Sequence, residues 1–202
     1  MREGGSTVSK IKLGFAMCGS FCTFQPVLRM MEKCRDLGYD LVPIMSQNAS
    51  SIDTRFGKAE DFIWQVEDIC GKKIINTIND AEPIGPTHMT DIMLVSPCTG
   101  NTLAKLANSI VDTSVTMAVK SHLRNNKPVV IAVSTNDALS GSAKNIGALL
   151  NLKNYYFVPM RQDNPEGKPT SIVADFSLIP DTLEEALQNT QIQPIMLERK
   201  QK

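Results

Sequence analysis

The sequence predicts an α/β protein, a doubly wound and mostly parallel sheet with helices on both faces, and two observations carry that prediction. Short apolar runs bounded by turn residues, KIKLGFAM at 10–17 and KPVVIAVS at 127–134 above all, read as strands buried on both sides. Between such runs, amphipathic stretches recur with apolar residues at helical spacing, the rhythm of strands joined by helical crossovers. At 202 residues and 42% apolar, the chain can bury one substantial core, so a single domain over 1–202 is expected.

The elements follow in order. After the first strand comes a loop with Gly19, then a helix over 25–37 with Val27, Leu28, Met30, Met31, Cys34 and Leu37 on one stripe and Gly38 as its stop. DLVPIM (40–45) is the second strand and SQNASS (46–51) a polar loop. A helix over 59–70 carries Phe62, Ile63, Val66, Ile69 and Cys70, with Gly71 beyond it. A weak strand over 73–78 precedes the Pro-Gly-Pro loop at 83–86. The strand at 92–96 runs into a helix over 102–111 with Asn101 as its N-cap. Tyr155 to Pro159 is a further strand, and MRQDNPEGKPTS (160–171) is a lid or a subunit-contact loop. Asp181-Thr182-Leu183-Glu184 has capping-box spacing and opens a last helix to about Gln191. Residues 1–9 and 193–202 are expected to be flexible ends.

Right-handed crossovers place every strand-to-helix loop on one edge of such a sheet, where ligands bind. Four polar loops should meet there: Gly19-Ser20, Ser46-Gln47-Asn48, Ser96 to Asn101, and Ser134-Thr135-Asn136-Asp137. Small residues at a helix start offer free amides and a positive dipole end to an anion. For either of the first and third loops alone, a simple turn or helix cap is the commoner role. Four together favour a ligand site.

Composition excludes several function classes. Lys plus Arg and Asp plus Glu both number 21, which leaves no basic excess for a phosphate backbone. No segment has the length and apolarity of a signal peptide or membrane span, so a cytoplasmic location is expected, without nucleic acid or membrane partners. The five cysteines are odd in number and scattered, a pattern of free thiols. His88 and His122 have no ligand spacing with them, so no metal site is expected. Cys98 stands at a helix start, where the dipole would lower its pKa and make it a redox thiol; a small apolar filler is the plainer role. No dinucleotide fingerprint, Walker loop or nucleophile elbow is present.

The run PCTGNTLAKLANSIVDTSVTMA (97–118) resembles the signature of the flavoprotein family that includes phosphopantothenoylcysteine decarboxylase and the epidermin-type peptidyl-cysteine decarboxylases. Their run is commonly Pro-Ala-Thr-Ala-Asn-Thr followed by Ala-Lys and an Ala-Asp turn. Pro97, Thr99, Asn101, Thr102, Ala104, Lys105 and Asp112 match it. From the first strand to about residue 180, the segments Gly19 to Thr23, AEPIGP (81–86), HLRNNKPVVIAVSTNDALS (122–140) and NYYFVPMRQDNP (154–165) resemble the dipicolinate synthase B-subunit family of spore-forming bacteria.

That resemblance implies a flavodoxin-like or Rossmann-like flavoprotein fold and a component that works in the mother cell with the dipicolinate synthase A subunit, oxidising dihydrodipicolinate to dipicolinate. It implies FMN here, NADP or NAD on the partner subunit, and a homo-oligomer, a trimer or a multiple of it. By motif position, Gly19, Ser20 and Phe21 approach the flavin or its phosphate and Ser46 faces the phosphate. Pro97, Thr99, Gly100, Asn101 and Thr102 line the ribityl chain and ring. Ser134, Thr135 and Asn136 occupy the loop where the decarboxylases often carry a Pro-x-Met-Asn motif, which is missing here. The decarboxylases' catalytic histidine would fall near Pro83 to Gly85, and His88 lies too close to Asp91 to replace it. No catalytic residue is therefore assigned. A dicarboxylate substrate needs positive charge, for which Lys105, Arg161 and Lys168 are candidates. Two alternatives stand beside this reading: a noncatalytic assembly subunit with a vestigial flavin pocket, and an FMN-dependent decarboxylase of a small acid.

Overall fold

The computed structural model describes residues 10–198. Its strands are β1 (Lys12–Met17), β2 (Asp40–Met45), β3 (Ile92–Cys98), β4 (Val129–Thr135), β5 (Tyr155–Phe157), β6 (Met160–Arg161) and β7 (Ile172–Ala174). The helices are α1 (Phe24–Asp36), α2 (Gln47–Ser51), α3 (Ala59–Cys70), α4 (Ile78–Ala81), α5 (Gly100–Ala107), α6 (Ser114–Leu123), α7 (Ala143–Leu150) and α8 (Ile179–Leu187). The sheet runs β2-β1-β3-β4 in parallel. β5 continues it beside the first half of β4, and the antiparallel β7–β6 pair sits beside the second half. The predicted doubly wound sheet is therefore present.

Strand periodicity explains why both faces are apolar. Leu13, Phe15 and Met17 of β1, Ile92 and Leu94 of β3, and Val130 and Ala132 of β4 point to one face, where α1, α3 and α8 cover them. The intervening residues Ala16, Met93, Val95, Val129, Ile131 and Val133 point to the other, under α5, α6 and α7. The α1–α3 contact is fixed by an edge-to-face pair, Phe24 and Phe62, with centroids 4.9 Å apart. Gly38 and Gly71, both at positive φ, end α1 and α3 as expected.

Several elements differ from expectation, each for a local reason. SQNASS is a short helix, because the Ser46 hydroxyl accepts from Ala49 N and caps it. The strand expected at 73–78 reduces to Ile75, whose backbone pairs with Pro43 and Met45. Thr77 then caps α4 through Asp80 N and turns the chain away. α5 begins at Gly100 and stops at Ala107, where Ser109 takes a positive φ. α6 and α7 carry no expectation from the sequence. α6 buries Val115, Thr116, Ala118, Val119, Ser121 and His122, so it lacks a solvent stripe to mark it. α8 starts earlier than Asp181, with Pro180 in its first turn. The 160–171 segment begins as a strand of the β6–β7 hairpin rather than as a free excursion. Residues 193–198, expected to be a flexible end, dock instead along β6: Met160 N donates to Ile195 O and Leu197 N to Met160 O, both at 2.9 Å. Residues 1–9 and 199–202 of the expected ends lie outside the described residues.

Candidate functional site

The strand order makes a crevice where the sequence placed one. β1 leads into α1 on one face, while its neighbour β3 leads into α5 on the other, so their loops part at the edge. A cleft of about 470 Å³ opens there, within the size range of small-molecule sites. Cys18, Gly19 and Phe21 line it from the first loop, Ser46, Gln47, Asn48 and Ile52 from the second, Thr99, Asn101, Thr102 and Lys105 from the third. Asp112 and Thr113, ahead of α6, complete it.

Hydrogen bonds hold these loops in place. Thr99, not Asn101, caps α5: its Oγ1 accepts from Thr102 N at 3.3 Å. The reason is register, since the helix begins one residue before Asn101. Thr99 Oγ1 also donates to Thr102 Oγ1 at 3.2 Å, and Thr102 Oγ1 donates to Cys18 Sγ at 3.2 Å, tying the end of β3 to that of β1. Relieved of capping, Asn101 is exposed, and among the described residues its side chain takes no hydrogen-bond partner. On the opposite wall, Ser114 Oγ donates to Met45 O at 2.6 Å, and the Thr113–Thr116 capping box secures the start of α6.

The fourth loop joins through one contact, Ser20 Oγ to Ser134 Oγ at 2.9 Å, which reaches past the end of β3. Its other members turn aside: Thr135 Oγ1 donates to Asp137 Oδ1 at 2.5 Å, and Asn136 O accepts from Thr170 Oγ1 at 2.6 Å. Neither Thr135 nor Asn136 lines the cleft. Pro97 lies in fully buried β3, and its carbonyl accepts from Cys18 N at 3.2 Å. Ser96 beside it, fully buried and outside the cleft lining, has an Oγ without a hydrogen-bond partner among the described residues.

Charge in the cleft is sparse. Lys105 Nζ reaches Asp112 Oδ1 at 2.7 Å and Oδ2 at 3.0 Å, with its side chain 19% exposed. Arg161 is elsewhere: it pairs with Asp175 at 2.8 Å in a separate groove of about 790 Å³ between α1 and the β6–β7 hairpin. Lys168 is half exposed and 3.8 Å from Asp163. His88 is exposed in the segment before β3, at the other end of a strand about 20 Å long. Cys98 takes the plainer of its two expected roles, a buried filler, and burial drives its thiol pKa well above the ordinary value, against a redox role. Burial likewise raises Cys18 to about 11, against the pull of Thr102. Both are buried neutral thiols: Cys18 lines the cleft, and Cys98 packs in the core beneath it. Among the described residues, no group of three or more His, Cys, Asp or Glu is placed to hold a metal ion.

The sequence reading missed Cys18, Thr113 and Ile52 as lining residues. Thr113-x-x-Thr116 has capping spacing and was the signal available for the second; Cys18 has none beyond its place at a strand end.

The polar groups that line the cleft, hydroxyls of Ser46, Thr99, Thr102 and Thr113, the Asn101 amide and the Lys105 ammonium, offer hydrogen-bond partners to a polar ligand, with the Thr99 and Thr102 protons already engaged at Thr102 and Cys18. The family model described as Flavoprotein matches residues 1–179. The dipicolinate synthase B subunit of Bacillus subtilis is 41% identical over 196 residues, 97% of this chain and 98% of that protein. The crystal structure of the dipicolinate synthase B subunit from Bacillus halodurans is 40% identical, with a TM-score of 0.86 over 94% of this chain and 97% of that one. The FMN-dependent cysteine decarboxylase SpaF, at 22% identity, superposes with a TM-score of 0.66 over 87% of this chain and 97% of its own, a likeness of fold.

Proposed function

The chain belongs to the flavoprotein family, and from that premise we propose that it is the B subunit of a dipicolinate synthase that binds FMN in the crevice between β1 and β3. The observation that carries the reading is likeness at 41% identity along nearly the whole of both chains to a protein of that name. The reaction removes a hydride and a proton from the ring of dihydrodipicolinate, leaving the aromatic dicarboxylate. The dipicolinate synthase A subunit is the partner, and NADP or NAD bound there is the alternative hydride acceptor.

FMN, when bound, supplies a two-electron acceptor. Gly19, Ser20 and Ser46 hold its phosphate end, with Phe21 beside them. Thr99, Asn101 and Thr102 line the ribityl chain and ring, with Pro97 and Gly100 shaping the turn. Ser134 braces Ser20 from behind, and Thr135 and Asn136 belong to that supporting loop. Lys105 meets a substrate carboxylate by exchanging it for Asp112. Arg161 is a second cation for the substrate only through movement of its hairpin. Exposed apolar side chains of Ile52, Phe56 and Trp64 support assembly of several copies, a trimer or its multiple. Among the described residues no helix is long and apolar enough to cross a membrane, and a place in the mother-cell cytoplasm is part of the same proposal.

A second reading, an assembly subunit with an unused pocket, is favoured by the cleft's lack of a general base. Among the described lining residues there is no histidine, and the carboxylate, Asp112, is paired with Lys105. Combining both purified subunits with dihydrodipicolinate, FMN and NADP or NAD, and following ultraviolet absorbance of dipicolinate, tests the two readings. Product that requires this chain and is lost in Asn101→Ala supports the catalytic reading. Product that requires the chain but ignores that substitution supports the assembly reading, and product formed without the chain contradicts both.

A further inference from the structure

The first turn of α5 rests on the loop after β4. A methyl group placed on Gly100 would stand 2.6 Å from Asp137 Oδ1, 2.6 Å from Ser142 Oγ and 2.8 Å from Thr135 Oγ1. Three side-chain oxygens thus converge on the bare α-carbon of the first helical residue. They are not loose ends that could swing away. Thr135 Oγ1 donates to Asp137 Oδ1 at 2.5 Å, and Ser142 Oγ lies 3.0 Å from both carboxylate oxygens. The amides of Ser140 and Ser142 donate to Asp137 O, each at 3.0 Å, so the backbone of the loop is folded around the same residue. A carboxylate beside the start of a helix is also favoured by the helix dipole.

Gly100 stands between Thr99 and Asn101, both of which line the crevice. A shift of its α-carbon moves both side chains. The glycine and the Asp137 cluster fit one another as a unit, since any side chain at position 100 would collide with all three oxygens.

We propose that Asp137 is a positioning residue for the crevice: it locks Thr135 and Ser142 into a platform that sets the first turn of α5 and, through it, the stance of Thr99 and Asn101. The inference rests on the reading of the crevice as a flavin site. Asp137 itself touches no ligand.

The test uses the full chain with four variants, Gly100→Ala, Asp137→Ala, the double substitution and Asp137→Asn. FMN affinity is read by fluorescence quenching, and amide exchange over residues 100–103 is read in the flavin-free protein. Gly100→Ala and Asp137→Ala are each expected to weaken FMN by about tenfold, and the double variant to be no weaker than Gly100→Ala alone, because loss of the carboxylate frees the two hydroxyls to rotate. Asp137→Asn keeps the shape and one acceptor, so its affinity should stay within about threefold of the parent. Exchange over 100–103 should be faster in Asp137→Ala and near normal in Asp137→Asn. Multiplicative losses in the double variant would overturn the proposal. So would an Asp137→Ala chain with a lower melting temperature but unchanged affinity and exchange. Should the parent take up no FMN, the flavin reading fails by itself, and amide exchange alone decides the positioning role: acceleration over 100–103 supports it and no change overturns it.

Discussion

His122 is fully buried on α6, and acidification should cost the fold stability through this one side chain. Its Nε2 lies 3.0 Å from Pro128 O, a pure acceptor, so Nε2 carries the hydrogen; Nδ1, at 2.7 Å from Thr90 Oγ1, then accepts. The neutral ring is thus satisfied at both nitrogens. Burial first of all, helped by nearby Lys127, pushes the pKa down to about 4, although the Pro128 carbonyl and Asp91 favour the charged ring. In the unfolded chain the ordinary value is about 6.5, so between those two values the unfolded state binds the extra proton. Stability contributed by the neutral ring is whole above about pH 6.5 and falls as pH drops toward 4. With a folded pKa of about 4 the loss from pH 7 to pH 5 comes to about 2 kcal/mol, approaching about 3 kcal/mol below pH 4. Urea unfolding at pH 7 and pH 5 measures it, with His122→Gln as the reference: Gln retains a donor for Pro128 O but does not titrate. The parent should lose about 2 kcal/mol more than the variant over this interval. Equal losses in the two proteins would refute the assignment of a neutral, buried imidazole.

Two further predictions concern the crevice itself. Thr99→Ala removes the cap of α5 and should lower folding stability by about 1 kcal/mol in chemical denaturation while also weakening FMN binding; a stability loss without an affinity loss would detach the cap from the site. Under native conditions iodoacetamide should label exposed Cys22 within minutes and leave buried Cys18 and Cys98 unmodified until urea is added, as mass spectrometry of peptides would show. Rapid native labelling of Cys98 would revive the redox role that its burial denies.

The parts of the fold legible in the sequence were those with a strong one-dimensional signature. β1, β2 and β4 are near-continuous apolar runs because both their faces are covered, and α1 and α3 have clean stripes because one face meets solvent. α6 escaped because burial on most sides erases that stripe, and α7 because Asn145 and Gly147 interrupt its pattern. Gly19, Ser46, Thr99, Asn101, Thr102 and Lys105 were legible as a cluster, since parallel topology alone brings strand-end loops together. Which side chain caps and which is left free in the crevice was not legible: Thr99 caps in place of Asn101 because the helix starts two residues earlier than its pattern suggested. Arg161 could not be placed, because its position depends on the β6–β7 hairpin, a pairing of two short strands across a ten-residue gap in the sequence. The Asp137 platform was likewise hidden, as Gly100 and Asp137 meet through packing between segments far apart in the chain.

The most direct measurement is a titration of the purified, flavin-free chain with FMN, followed by quenching of flavin fluorescence and by the shift of its visible absorbance, with Asn101→Ala and Ser46→Ala alongside. The account predicts saturable binding that both substitutions weaken while leaving the circular dichroism spectrum unchanged. Fluorescence that stays that of free FMN at high protein concentration would contradict it, and so would binding that neither substitution alters.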